Sequence, residues 1–307
     1  MAKSITIGSI NMDIVSQVEK HPLPGQTITG KDFLYVPGGK GANQAVATRR
    51  MGTSVQMAGM VGKDPFADTL LNFYLFEGID TQHVSVDNEH PTGAAFVAVD
   101  SASENVIYVS AGANSRLSSL HIEAIVISGD DVVSATLETP VSSTKRAFEK
   151  AREVGATTVL NAAPAQKEAE ELFPLTDYLI VNETELAYFG AIDPISSKEE
   201  AQEVMKDLAA RFEMNIITTL GSKGAASYLN REAFNVDGYV VKAVDSTGAG
   251  DCFVGAFVSM LVEKRGAKDA IEFANAAAAV KVQKLGASSM PLRANVDSFL
   301  NQRAVTL

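Results

Sequence analysis

The chain has 307 residues, 46% of them hydrophobic, enough for one large α/β core with or without a small second unit. Its net charge of -11, with Asp and Glu dispersed, argues against a nucleic-acid groove, which needs clustered Lys and Arg. The single cysteine, Cys252, excludes an intrachain disulfide or a Cys-rich zinc site, and His21, His83, His90 and His121 lack ligand spacing. No apolar run approaches the ~18 residues of a membrane helix, and the N-terminus has no signal-peptide pattern. A soluble, cytoplasmic protein with neither membrane nor nucleic-acid partner is expected.

Residues 4–10 read as a buried strand, with polar Asn11 and Asp13 at its end. α/β proteins place ligand contacts there; an Asx turn is an equal alternative. Residues 13–18 and 27–36 are short alternating pieces, and 93–100 and 105–109 form a second β pair across the turn Ser101-Ala102-Ser103-Glu104. These segments fit no βαβ rhythm and are expected to form a small separate sheet inserted into the main unit. Between them, Pro37-Gly38-Gly39-Lys40-Gly41-Ala42-Asn43-Gln44-Ala45 is a glycine turn opening a helix. It is neither a Walker A loop nor a dinucleotide fingerprint. Its glycines let the backbone lie flat against a polar ligand, with Lys40 and Asn43 as donors; a plain strand-to-helix turn is the alternative.

From Val55 onward the chain alternates. Strands are predicted over 55–61, 132–137, 157–161, 178–181 and 215–220, and helices over 65–77, 141–154, 198–212, from Asp251, and over 267–284. That rhythm means a doubly wound, mainly parallel sheet. Polar residues recur at strand ends: Asn11, Asp13, Glu138, Asn161, Asn182, Glu185 and the turn at Gly221. Ligands of open α/β sheets bind at that edge.

The densest signal is Asp245-Ser246-Thr247-Gly248-Ala249-Gly250-Asp251, which follows an apolar approach (Val240, Val241, Val244) and opens an apolar helix. Amides of Gly248, Ala249 and Gly250 at a helix N-terminus suit phosphate. Asp251 beside such a site either takes a proton from a hydroxyl attacking a phosphoryl group or caps the helix.

The Gly38 to Ala45 stretch and the Asp245 to Asp251 stretch together resemble the two signatures of the ribokinase-like family of sugar kinases, and the likeness covers nearly the whole chain. The stretches Gly8-Ser9-Ile10-Asn11-Met12-Asp13, Pro24-Gly25-Gln26-Thr27, Ser110-Ala111-Gly112-Ala113-Asn114 and Asn182-Glu183-Thr184-Glu185 add to it. The resemblance implies a single three-layer α/β/α domain over 1–307, with a β lid from about 13–36 and 93–109 and often a homodimer through the lids. It implies ATP-dependent phosphorylation of D-ribose at the 5-hydroxyl, with Asp251 as base and Gly248, Ala249 and Gly250 as anion hole. The sugar would meet Asn11, Asp13, Gly39, Lys40, Gly41, Ala42, Asn43, Glu138 and Asp251. The nucleotide would meet Asn182, Thr219, Leu220, Gly221, Ser222, Lys223, Gly224, Gly250, Asp251 and Asn275, with Glu185 in the motif tied to magnesium. A potassium activator would be held by the Asp245 carboxylate, carbonyls of Thr247, Lys281, Lys284 and Gly286, and the Ser289 hydroxyl; Asp245 capping the turn through the Ser246 to Gly248 amides is the alternative. Two departures bear on that last set: the loop 286–291 is one residue short, and a lysine ammonium folding back into the pocket would replace the ion. Deoxyribose or fructose as acceptor, or a non-catalytic binding regulator, are the alternatives.

Overall fold

A computed structural model describes residues 2–102, 104–193, 195 and 197–304. The chain runs β1 (Ser4–Ile7), β2 (Asn11–Gln17), β3 (Phe33–Gly38), α1 (Lys40–Arg50), β4 (Val55–Gly62), α2 (Pro65–Glu77), β5 (Asp80–Asp87), β6 (Gly93–Val99), β7 (Asn105–Ser110) and α3 (Ser119–Glu123). It continues β8 (Val132–Thr136), α4 (Val141–Val154), β9 (Thr157–Asn161), β10 (Tyr178–Asn182), α5 (Glu183–Gly190), α6 (Lys198–Phe212), β11 (Asn215–Thr219), β12 (Gly224–Leu229) and β13 (Glu232–Asp237). Helices α7 (Ala249–Val262), α8 (Ala267–Lys281) and α9 (Arg293–Ala304) complete it.

Among the described residues, nine strands form one sheet in the order β13-β12-β11-β10-β9-β8-β1-β4-β5. The seven from β11 to β5 are parallel, and β12 and β13 extend the edge as an antiparallel hairpin. Side chains alternate along each strand between two cores. Val132, Val159, Ile180 and Ile217 join the face covered by α1, α7 and α8. Their neighbours Val133, Leu160, Leu179 and Ile216 join the face covered by α4, α5 and α6. Near-continuous apolar strands are what two covered faces require, and the expected three-layer α/β/α fold is observed.

Helices α1 and α7 approach closely on the first face. A Cβ at Gly255 would lie 2.5 Å from the Ala47 Cβ and 2.7 Å from the Gln44 carbonyl oxygen. The Thr48 hydroxyl donates across this contact to the Gly255 carbonyl at 3.1 Å. Glycine is required there, and it sets the distance between the two helices that carry the central polar groups.

The smaller sheet has the order β3-β2-β6-β7, with β2 and β6 parallel and the outer pairs antiparallel. Its strands come from the two stretches expected to stand apart. Directly paired residues share a face, so Asp13, Leu34, Val97, Ile107 and Val109 lie on one side, and Ile14, Phe33, Tyr35, Phe96 and Tyr108 on the other. Several are more than half exposed, Tyr108 at 70% and Leu34 at 64%.

Three expectations need correction. The strand predicted over 4–10 stops at Ile7; Asn11 and Asp13 open β2 in the smaller sheet instead of ending the first strand. Residues 27–32 form no strand. The apolar approach before Asp245 is exposed, Val240 at 90% and Val244 at 59%. The helix predicted over 267–284 ends at Lys281. Ser103, in the predicted turn between β6 and β7, lies outside the described residues.

Elements β5, α3, α5, α9 and the β12–β13 hairpin went unpredicted. The hairpin turns at Asn230 and Arg231, both with positive φ, as the favoured two-residue hairpin turn demands. Arg in place of Gly there removed the sequence signal.

Candidate active site

The sheet is entered at its centre and wound outward in both directions. From β1 the chain reaches β4 on one side, and later β8 on the other. Such a reversal opens a crevice at the carboxyl edge. Across it the parallel strands deliver Thr219 (β11), Asn182 (β10), Asn161 (β9), Glu138 (just beyond β8) and the segment after β1, in that spatial order.

At the β1–β8 crevice, Glu138 Oε2 accepts the Ser9 hydroxyl and the Lys40 backbone N–H, the latter at 3.0 Å. It thereby pins the loop after β1 to the start of α1. Asn114 accepts from the Ile10 N–H at 2.9 Å and donates to Asn11 Oδ1 at 2.7 Å, which fixes the entry into β2. A Cβ on Gly38 would fall 2.3 Å from the Asp13 carboxyl, so only glycine leaves room for that side chain beside β3.

Asp251 lies in the first turn of α7, yet the helix carries no side-chain cap; its N-cap is Gly248, at φ 76°. The carboxylate is held from α1 instead. Asn43 Nδ2 donates to Oδ2 and Gln44 Nε2 to Oδ1, both at 3.1 Å. Gln44 Nε2 also donates to Asn161 Oδ1 at 2.9 Å, while Asn161 Nδ2 donates to the Ile180 carbonyl at 3.1 Å. That carbonyl orients the Asn161 amide, which orients the Gln44 amide, which must then point N–H at Asp251. The capping alternative for Asp251 is overturned.

Lys40 is surrounded by carboxylates. Burial works against its charge, but Asp251, Glu138, Glu185 and Asp13 outweigh it and hold the ammonium above the ordinary lysine value. Burial pushes Asp251 up, against Lys40, Gln44 and Asn43. Burial, then the charges of Glu138 and Asp251, push Asp13 up to about 7. Glu185 is likewise raised by burial. Of the three turn amides, Ala249 donates to the Ser246 carbonyl at 3.1 Å. Those of Gly248 and Gly250 have no protein acceptor among the described residues.

The expected nucleotide residues gather at the other end of the edge. Asn182 and Glu185 form a reciprocal capping box on α5, at 2.8 and 2.9 Å. Leu220, Gly221, Ser222, Lys223 and Gly224 form a tight turn into β12, closed by a 2.8 Å bond from Leu220 N–H to the Gly224 carbonyl. Asn275 on α8 donates to the Asp237 carbonyl at 2.9 Å. Together the groups provide a buried carboxylate, free amides at a helix N-terminus and a lysine, a set suited to phosphoryl transfer to a hydroxyl.

The sequence profile of the pfkB family carbohydrate kinases matches residues 1–294. The chain belongs to this family. It is 38% identical to a ribokinase of Haemophilus influenzae over 98% of this chain and 99% of that one. It is 37% identical to a ribokinase of Staphylococcus aureus, over 96% and 98%. Its fold superposes on Arabidopsis thaliana ribokinase, solved with ribose and ATP, at a TM-score of 0.88 and 29% identity, covering 98% and 99% of the two chains. The resemblance read from the two glycine stretches is upheld, and the protein is a kinase of the ribokinase type.

Sequence reading missed Gln44, Ser9 and Asn114 as site residues, and noted Asn161 only as a polar strand end. Gln44 left one signal: an uncharged polar residue inside a run of alanines and valine, 1% exposed in the fold. We expect Gln44→Leu to lower turnover by ~10-fold or more. Removing a donor to the carboxylate raises the pKa of Asp251, so the acidic limb of the activity–pH profile moves to higher pH. An unmoved limb in a pH–rate series shows that Gln44 does not hold the base.

Proposed function

We propose that this kinase transfers the γ-phosphoryl group of ATP to the 5-hydroxyl of D-ribose, with Asp251 as the base. The observation that carries the reading is the Asp251 carboxylate, buried at a helix N-terminus but held by Asn43 and Gln44 from another helix. A cap would bond its own helix; a base must be aimed elsewhere. The ribokinase relatives support ribose as acceptor.

The acceptor hydroxyl attacks the γ-phosphorus in line, forming a P–O bond as the bond to the β-phosphate oxygen breaks. Asp251 takes the hydroxyl proton, and ADP leaves. Amides of Gly248 and Gly250 and the Lys40 ammonium face the charge on the transferring group. Asn11, Asp13, Gly39, Lys40, Gly41, Ala42, Asn43 and Glu138 form the sugar side, Asn182, Thr219 to Gly224 and Asn275 the nucleotide side. No cluster of three His, Cys, Asp or Glu side chains suited to a metal exists among the described residues. Magnesium would arrive with the nucleotide, since Mg²⁺ needs only one or two carboxylates beside phosphates. Glu185 would be the carboxylate that holds it; bound magnesium would supply charge neutralisation on the phosphates.

Residues 1–307 are read as one kinase domain, with the smaller sheet as a lid that excludes water. Among the described residues no helix is long and apolar enough to cross a membrane. We read the enzyme as cytoplasmic, a compartment in which the free, buried Cys252 stays reduced.

The test is ADP release measured over pentoses, hexoses and nucleosides. We expect ribose to be preferred, and Asp251→Asn to cut turnover by ~10² or more with ribose and ATP binding kept. Near-normal turnover returns Asp251 to a structural role, and a better rate with deoxyribose or fructose changes the substrate.

Asp13 yields a pH prediction. A carboxylate that accepts sugar hydroxyls binds them ionised, so ribose lowers a pKa that stands at about 7 in the free enzyme. Ribose binding then releases a proton near neutrality, and affinity rises with pH up to about 7. Calorimetry in buffers of different ionisation enthalpy reads both; no proton release separates Asp13 from the sugar.

Exposed apolar side chains on the smaller sheet support a homodimer joined through the lids. Sedimentation is expected to give a dimer at micromolar concentration; a fully active monomer removes this part of the reading.

A further inference from the structure

Lys281 has no task in the transfer step, yet its side chain is among the largest fully buried ones in the chain. It ends α8 and aims its ammonium at the Asp245 backbone carbonyl, 3.4 Å away. This is where the resemblance implies a potassium ion, and the donor set does not fit one. Asp245 Oδ1 accepts the Thr247 N–H and Oδ2 the Gly286 N–H, each at 2.8 Å. The Lys281 carbonyl accepts the Lys284 N–H at 2.9 Å. The Gly286 carbonyl accepts the Ser289 hydroxyl at 2.6 Å and its N–H at 3.1 Å. The Asp245 carboxylate, the Lys281 and Gly286 carbonyls and the Ser289 hydroxyl thus already have protein partners, and an ion entering beside Asp245 would meet the Lys281 ammonium, whose pKa burial lowers against the pull of Asp245.

We propose that the Lys281 ammonium is this enzyme's own tethered monovalent cation, a positioning residue that makes turnover independent of potassium. Asp245 stands three residues before Gly248, whose N–H begins the anion turn. A positive charge behind that segment attracts its carbonyl and its carboxylate. The peptide dipoles of the turn are then held with their N–H ends toward the phosphate, before any substrate is present. A diffusible ion would do the same at the cost of its own immobilisation; a lysine on the end of a helix is already in place. The inference rests on the phosphoryl-transfer reading.

The test compares potassium, sodium and tetramethylammonium chlorides at fixed ionic strength. The wild-type enzyme is expected to turn over at rates within about twofold in all three, with one thermal midpoint. Lys281→Ala should lose ~10-fold or more in kcat in tetramethylammonium, with the KM of ribose and ATP little changed. Potassium or methylammonium should restore its rate, and potassium should raise its thermal midpoint but not that of the wild type. Clear potassium activation of the wild type overturns the proposal, as does a Lys281→Ala variant with wild-type kcat in tetramethylammonium. If the variant does not fold, the wild-type salt series decides alone. If no sugar is phosphorylated at all, the transfer reading fails, while the thermal midpoints still report on the cation.

Discussion

The molecule depends on one contact between helices. Where α1 crosses α7, Gly255 lets the backbones close, and Asn43 and Gln44 reach the Asp251 carboxylate. A buried carboxylate is expensive without donors, so this contact must be exact in register or the charge is lost. The amide chain through Asn161 to the Ile180 carbonyl ties the same point to the sheet. Both helices and two central strands therefore agree on the position of one side chain.

The same economy governs the charges around Lys40. Asp13, Glu138, Glu185 and Asp251 would repel one another in a shared crevice; a single ammonium among them moderates that repulsion and is itself held charged by it. Asp13 still sits at about 7, raised first by its burial and then by the charges of Glu138 and Asp251. It is also the one carboxylate of the four carried by the smaller sheet. Charge balance and the seating of that sheet are consequently linked.

The alternation from Val55 onward showed the doubly wound sheet because strands covered on both faces leave continuous apolar runs. Helices 65–77, 141–154 and 198–212 were legible to the residue, having periodic faces and clear ends. Edge elements were not: β5 and β13 carry mixed, partly exposed side chains that resemble loop. In the site, Asp251, Asn43 and Glu138 were readable because glycine turns and strand ends mark them. Gln44 was not, since its importance lies in a partner 207 positions away. Asp245 and Lys281 could be placed together only through resemblance, and the fold then showed the lysine side chain, not just its carbonyl, turned inward.

The strand order along the carboxyl edge acts as a ruler. From Thr219 on β11 to the crevice between β8 and β1, each strand adds ~4.8 Å, with Asn161 on β9 joined through Gln44 to Asp251. In-line transfer requires reacting atoms within ~3–3.5 Å, so moving either substrate's anchor by a single strand overshoots the tolerance. On the proposed reading, the sheet would admit only one spacing between donor and acceptor. Variation in the acceptor would then fall to the smaller sheet, whose strands can change side chains without rescaling the ruler.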